Sequence, residues 1–396
     1  MIPLTEYQQR RERLLTSLRG AAAVVFAGEG SGSQWRPHAH FLYLTGIRNE
    51  TGAAVLFDPS AEDPKRRSVL FLRPVDPEAQ RWDGYRDVIG AELKKRLGFQ
   101  AVARTNHLPA FITGAARRTK KLACLHPFAV YPADVSPDLA VFRKVAERVP
   151  GVAIEDQSQL LPRMRAVKSA AELRVMRRAV AATVAGYKAA LRIIRPGVTE
   201  SAIEQALERT YEANGATGVP YDSIVGSGLN STILHYNQNT DVAARGDLVV
   251  IDSAAEVDGY AADVTRTLPV SGKFSAEQRE LYELVLRSQL AAIKAARPGA
   301  KMCDVDAAAR DVLVKAGHGD AFIHGIGHQL GLEVHDATPD GALKPGMVIT
   351  IEPGLYFPDR KLGIRIEDDV LITRSGNEVL TAAIPKSVRA IESALK

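Results

Sequence analysis

Residues 249–267 read VVIDSAAEVDGYAADVTRT. The run Leu248-Val249-Val250-Ile251 is apolar enough for a buried strand, yet it ends on an acid, Asp252. Glu256-Val257-Asp258-Gly259 is turn material with Val257 and Asp258 expected at its tip, and the next strand-like run, Tyr260-Ala261-Ala262-Asp263-Val264, carries an acid within it. A tight hairpin over that turn pairs 256 with 259 and 252 with 263. The spacing therefore predicts two carboxylates facing each other on one side of a sheet. Lone buried carboxylates are costly unless paired, protonated or bound to a metal, and two in one site repel. A pair of divalent cations turns the same arrangement into a clamp.

The device recurs downstream. Glu352 ends Val348-Ile349-Thr350-Ile351, Glu367 ends Gly363-Ile364-Arg365-Ile366, and Pro358-Asp359-Arg360 lies between them as turn material. Of nine histidines, five fall between His235 and His335, and His328 in HGIGH (324–328) is the natural nitrogen donor. Gly325 and Gly327 favour a loop there over a helix presenting His324 and His328 as an i,i+4 pair. Four carboxylates and one imidazole carry a charge of about −4, which two divalent cations balance. Oxygen-rich ligation with one nitrogen favours Mn²⁺ or Co²⁺ over structural zinc. Gly226-Ser227-Gly228 opens like a dinucleotide fingerprint, but Ser231 occupies the third glycine position, and no HExxH, GxSxG or P-loop is present.

Outward from these segments, the chain has two textures. Its 396 residues, with 46% apolar and 24% charged, suit two or three globular domains. Apolar runs at 21–26, 52–57 and 68–72 read as buried strands, and Thr5 with Gln8 reads as a capping box opening a helix that Gly20 stops, so an α/β layer domain is expected first. Past Leu160-Leu161-Pro162, Ser169 with Glu172 opens an amphipathic helix carrying Leu173, Met176, Val180, Val184, Tyr187 and Leu191. Arg195-Pro196-Gly197 and Arg297-Pro298-Gly299 stand 102 residues apart, each preceded by a long helix and followed by another, the later long helix opening at Ser275 with Gln278. Two related halves around a pseudo-twofold axis, with a cleft between, are expected. The net charge of +5 divides unevenly: residues 1–168 hold 26 Lys+Arg against 17 Asp+Glu, and residues 169–396 hold 25 against 29. The basic residues are scattered, so no nucleic-acid partner is expected. Cys124 and Cys303 are read as buried thiols in a reducing compartment. With no apolar run near the ~18 residues of a membrane span and no secretory pattern at the N-terminus, a cytoplasmic protein with no membrane partner is expected.

ILHYN (233–237), VVIDSAAEVDGYAADVTRT (249–267), HGIGHQLGLEVHD (324–336), ITIEPGLYF (349–357) and GIRIEDDV (363–370) together resemble the pita-bread metallopeptidases, which include aminopeptidase P, prolidase and methionine aminopeptidase. HFLYLTGI (40–47) resembles the creatinase-type N-domain of the proline-specific branch. The resemblance implies an α/β plus α+β chain, a creatinase-type N-terminal domain over 1–160 and a pita-bread catalytic domain over 161–396. It implies two divalent metals per chain, Mn²⁺ ahead of Co²⁺ or Zn²⁺, bound by Asp252, Asp263, His328, Glu352 and Glu367, with Asp263 and Glu367 bridging. A metal-bridging hydroxide would attack an Xaa-Pro bond, Glu352 would shuttle the proton, and His335 would donate to the oxyanion. His235 is placed in the catalytic group, and His324, Arg365 and Tyr221 near the substrate or the bridging ligands.

An Xaa-Pro bond is a tertiary amide without N–H, so a site gripping the free amino end through a metal and the ring through histidines suits it. The expected function is an Xaa-Pro dipeptidase, with aminopeptidase P acting on longer peptides as the alternative and a catalytically silent peptide-binding module from another class. The substrates are small peptides with proline second, and a homodimer is expected, with Trp82 as a candidate contact. Relatives carry a longer loop with an arginine after the His335-Asp336 pair. Residues 336–346 contain none, so carboxylate recognition is expected to rest on Arg365, a histidine or Lys344.

Overall fold

The computed structural model describes residues 1–30, Gly32 and 35–396, which divide into two compact units, Ile2–Met164 and Arg165–Lys396 with Met1. In the first unit, β1 (Ala23–Phe26), β2 (Ala54–Phe57) and β3 (Ser68–Leu72) pair antiparallel in sequence, and β4 (Ala101–Arg104) adds parallel to β3. Parallel β5 (Lys121–Cys124) and β6 (Ala153–Asp156) reach the first strand through an Ala22↔Leu122 bridge. Val24, Leu56, Val69 and Phe71 meet Ile112, Ala115 and Phe142 of the covering helices α1 (Leu108–Thr119) and α2 (Pro137–Ala146) in one core. The opening helix, Leu4–Ser17, buries Leu14 and Leu15 as its period demands. It starts at Pro3 with no side-chain cap, so the expected Thr5–Gln8 box does not form: proline presets the entry and places Thr5 inside the first turn.

The second unit is built twice. Long helix α3 (Ala170–Leu191) leads to α4 (Glu200–Ala213), and α5 (Ala276–Ala295) leads to α6 (Met302–Lys315). Ser169/Glu172 and Ser275/Gln278 both form complete capping boxes. Each helix pair closes tightly at equivalent places: a Cβ on Gly186 would lie 2.2 Å from the Tyr211 ring, and 102 residues on the Ser288 hydroxyl donates to Ala309 O at 2.9 Å. Cys303, in the first turn of α6, is exposed rather than buried, because that helix turns Val305, Ala309 and Leu313 to the core instead. Among the described residues no helix is long and apolar enough to cross a membrane.

Each half contributes one long, interrupted hairpin. In the first, β7 (Leu248–Asp252) and β8 (Thr265–Pro269) pair with Asp252 opposite Thr265, and Val257 pairs with Tyr260 around the turn. The register is two residues away from the expected one. The turn centres on Asp258 and Gly259, both at positive φ (52° and 81°), a geometry that Asp-Gly adopts and Val257 would resist. A slip of two preserves the face, so Asp263 remains on the side of Asp252 as a diagonal neighbour instead of a direct partner. In the second hairpin, Ile351↔Asp368 and Gly354↔Arg365 share one register in which Glu352 falls opposite Glu367, as the Pro358–Arg360 turn requires. The halves join where Glu367 N donates to Thr265 O (3.1 Å) and the Thr267 hydroxyl bridges Arg365 N and O at 3.0 and 2.9 Å.

Candidate metal centre

The end of each apolar strand delivers its acid to the junction of the hairpins. Asp263 and Glu367 are 4% and 1% exposed, and with His328 each offers a ligand atom such that all three lie within 4.8 Å of one another. Glu352 lies 3.4 Å and Asp263 3.6 Å from His328 Nε2. Asp252 completes the group through Tyr221, whose hydroxyl contacts Asp252 at 2.7 Å and Asp263 at 2.6 Å. A phenol has one proton for those two contacts, so the second needs a proton on a carboxyl. Thr265 Oγ1 donates to Glu367 at 2.7 Å and Thr350 Oγ1 to Glu352 at 3.2 Å.

His328 is aimed by its own backbone. Its N donates to the Thr350 hydroxyl at 3.0 Å, its carbonyl accepts from Thr350 N, and its Nδ1 lies 3.1 Å from Gln329 O. A proton on Nδ1 leaves Nε2 bare toward the carboxylates. Gly327 makes that approach feasible, since a Cβ there would sit 2.1 Å from Thr350 O.

Electrostatics argue for a cation. Burial, and then Asp252, pushes Asp263 well above the usual carboxylate range; burial, followed by Asp263, Glu352 and Asp252, does the same to Glu367. Glu352 is raised by burial to about 7 despite the opposing pull of Arg365. His328 is lowered by burial to about 4, so it is a neutral donor at neutral pH. Such a group of acids with an uncharged imidazole fits hard-to-borderline divalent cations.

A cleft of about 230 Å³ opens above, lined by His235, Asp252, His324, His328, His335, Glu352 and Arg365, among others. Ten expected site residues thus converge: seven line the cleft, and Asp263, Glu367 and Tyr221 adjoin the lining residues His328 and Asp252. His335 stacks edge-on against His328 with ring centroids 4.2 Å apart. His324 Nε2 meets the Tyr356 hydroxyl at 2.9 Å, and burial lowers that imidazole to about 4.

Arg365, expected near the substrate or the bridging ligands, lines the cleft beside Asp252. Its Nε donates to Thr265 Oγ1 (3.1 Å), Nη1 to the Tyr356 hydroxyl (3.0 Å) and Nη2 to Asp252 (2.8 Å), so the guanidinium is committed to the site itself. Lys344 is exposed and does not line the cleft. An arginine nevertheless serves the loop after His335, from elsewhere in the chain: Arg165 pairs with Asp336 and Glu333, and Lys168 reaches Asp336 at 3.3 Å. Reading the sequence missed Tyr356, Thr265 and Thr350. Thr350 was recoverable, being two residues from Glu352 and hence on the same strand face.

The chain matches the family model described as metallopeptidase family M24 over residues 174–374 and that of the aminopeptidase P N-terminal domain over 7–123. It is 35% identical to an Xaa-Pro aminopeptidase of Escherichia coli, covering 98% of this chain and 97% of that one. It is 40% identical to an Xaa-Pro dipeptidase of Pyrococcus furiosus, but over 55% of this chain and 64% of that one. The structure of the E. coli aminopeptidase P with the inhibitor Pro-Leu superposes with a TM-score of 0.88 at 32% identity, covering 100% of this chain and 98% of that one.

Proposed function

The chain belongs to metallopeptidase family M24, and on that premise we propose that it is an Xaa-Pro aminopeptidase, removing the residue before proline from peptides longer than two. Two divalent cations, Mn²⁺ ahead of Co²⁺ or Zn²⁺, are assigned to Asp252, Asp263, His328, Glu352 and Glu367. The observation that carries the reading is the convergence of four acids and a neutral imidazole under a cleft walled by three further histidines.

The balance moves from dipeptidase to aminopeptidase on two grounds. Similarity to the dipeptidase is confined to a little over half of this chain, whereas the aminopeptidase aligns throughout. A dipeptidase must also hold the free carboxylate of the proline. Among the described cleft-lining residues the one guanidinium, Arg365, already serves Asp252, Thr265 and Tyr356. A longer peptide continues as an amide at that point and needs no counter-ion.

When bound, the cations supply Lewis acidity to water and to the scissile carbonyl. Glu352, at the cleft wall 3.4 Å from His328 Nε2, is placed to take a proton from the attacking water and return it to the proline nitrogen. His335, at the cleft mouth beside His328, donates to the oxygen that gains charge. His235 and His324 wall the pyrrolidine ring, and Tyr356 keeps His324 in place. Tyr221 spaces Asp252 from Asp263.

Rates on Xaa-Pro and Xaa-Pro-Yaa peptides with Mn²⁺-loaded protein test the reading. Cleavage of tripeptides well above dipeptides is expected. Dipeptides preferred would return the chain to the dipeptidases, and neither cleaved, with peptide still bound, would make it a silent module. A homodimer is also proposed, supported by the exposure of Trp82 and Tyr85 (84% and 96%). A monomeric mass by sedimentation would count against it.

A further inference from the structure

Each long helix places a polar side chain behind the ligand-bearing strands next to the acids, Tyr187 on α3 and Gln289 on α5, and these two residues are 102 apart. That is the offset of the two Arg-Pro-Gly turns. Tyr187 is 1% exposed, and its one hydroxyl proton is shared between Val264 O at 2.6 Å and Ile251 O at 3.0 Å. Ile251 precedes Asp252 and Val264 follows Asp263. Gln289 is fully buried, and its Nε2 lies 3.3 Å from Ile351 O and 3.2 Å from Ile366 O. Those carbonyls belong to the residues immediately before Glu352 and Glu367. The amide orientation is set from both sides, since Oε1 accepts from Lys386 Nζ at 2.9 Å and Nε2, with two protons shared among three acceptors, also faces Asp368 at 3.0 Å.

We propose that Tyr187 and Gln289 are pseudo-twofold equivalent positioning residues, each tying the two strands of its hairpin together at the peptide groups next to the acids and so setting the spacing of the four carboxylates for two cations. The physical need is plain. Both hairpin ladders are interrupted at the acids, and the acids repel one another across each interruption. Each peptide is planar, so holding the oxygens of Ile251, Ile351 and Ile366 holds the Cα atoms of Asp252, Glu352 and Glu367 and the origins of their carboxylate arms, while Val264 O, one peptide beyond Asp263, fixes the strand that carries it. Metal sites tolerate only about 0.5 Å of misplacement. Neither side chain enters the cleft or contacts an acid assigned to metal, so their effect passes through the backbone alone.

The inference rests on the ligand set proposed above, but not on which peptide is cleaved. Mn²⁺ titration calorimetry of the full-length, cation-free protein, together with the visible spectrum of the Co²⁺-loaded form, reads it without substrate. Tyr187→Phe and Gln289→Met are each expected to weaken Mn²⁺ binding about 10- to 100-fold, the usual effect of losing a partner behind a ligand, and to shift the Co²⁺ bands. Ser288→Ala is the control: it removes a buried hydrogen bond of the same helix, to Ala309 O, and should leave affinity and spectrum unchanged. Wild-type affinity and spectrum in both variants would overturn the proposal even if melting temperatures fell. A variant that fails to fold assigns its side chain a structural role and overturns the proposal for that residue. Loss of Xaa-Pro cleavage by the wild type with Mn²⁺ binding intact would instead defeat the substrate assignment alone.

Discussion

Dialysis against a chelator leaves Asp263, Glu352 and Glu367 facing one another without a counter-charge, and the stabilisation that cations confer should then grow with pH. Burial and mutual repulsion hold all three acids above their ordinary values, Glu352 at about 7 against 4.5. A carboxyl with a raised folded pKa keeps a proton that the unfolded chain has released. Its stabilisation is complete below pH 4.5 and is lost as the pH rises through 7. For Glu352 the shift corresponds to roughly 3 kcal/mol at about 1.4 kcal/mol per unit. Asp263 and Glu367 add with the same sign at higher pH. Asp368 works oppositely, since against the cost of burial Arg266 and Lys386 hold it below 3.8, but its loss falls in more acid solution than the window considered. His126, His324 and His328 work oppositely within the window: burial lowers each to about 4, so the stability they contribute is lost as the pH falls below 6.5. The share of Glu352 is therefore read by difference; at roughly 2 °C per kcal/mol for a chain of this size it should lower the cation-free melting temperature by about 5 °C between pH 5 and 7.5, against the rise from the histidines. Calorimetric melts across that range, with chelator or with excess Mn²⁺, provide the assay. The stabilisation by Mn²⁺ should grow with pH, and Glu352→Gln should make the cation-free melting temperature climb more steeply with pH than in the wild type. A cation-free slope unchanged by Glu352→Gln, or a Mn²⁺ increment equal at both ends, would refute the reasoning.

Three further outcomes follow from the geometry. Gly327→Ala places a Cβ where Thr350 O already stands, so His328 must move by about an ångström, and a loss of kcat/KM near a hundredfold is expected in steady-state assays. Arg365→Lys keeps the charge but cannot serve Thr265, Tyr356 and Asp252 together, so Mn²⁺ affinity measured by calorimetry should drop about tenfold or more. Asp336→Asn strips Lys168 of its carboxylate partner and leaves Arg165 with Glu333; urea melts should show a loss of about 3–5 kcal/mol, with unchanged stability counting against a structural role for the pair.

What could be read in advance was whatever offended a simple pattern. An acid terminating an apolar strand is costly, and four such acids in two hairpins pointed to a cation before any coordinates did. The hydroxyls of Thr265 and Tyr356 gave no such signal, because a Thr or Tyr on a strand is ordinary whether or not it touches a ligand, and Thr350 was placed only by its two-residue spacing from Glu352. Arg165 was silent for a different reason: it lies 171 residues from Asp336, and no local rule connects them. The first hairpin shows how the reading can miss a detail and keep its chemistry. The turn formed one position later than expected because Asp258 and Gly259 accept positive φ more readily than Val257, which slid the partner of Asp252 from 263 to 265. A slip of one would have turned Asp263 to the opposite face and dissolved the site, whereas a slip of two could not. The parity of the strand, more than the identity of the pair, is what carries a metal centre from sequence into structure. The second hairpin obeys the same parity, and there Glu352 and Glu367 fall directly opposite. The two halves therefore present their acids with different offsets, diagonal in one and face to face in the other. Tyr187 reaches Ile251, before Asp252, and Val264, after Asp263, while Gln289 reaches Ile351 and Ile366, each before its acid, so relative to the acids the backbone contacts carry that same two-residue difference. An approximate twofold in the fold is thus compatible with two chemically distinct cation positions, one of them adjoining His328, whose counterpart at the 102-residue offset is Gly226.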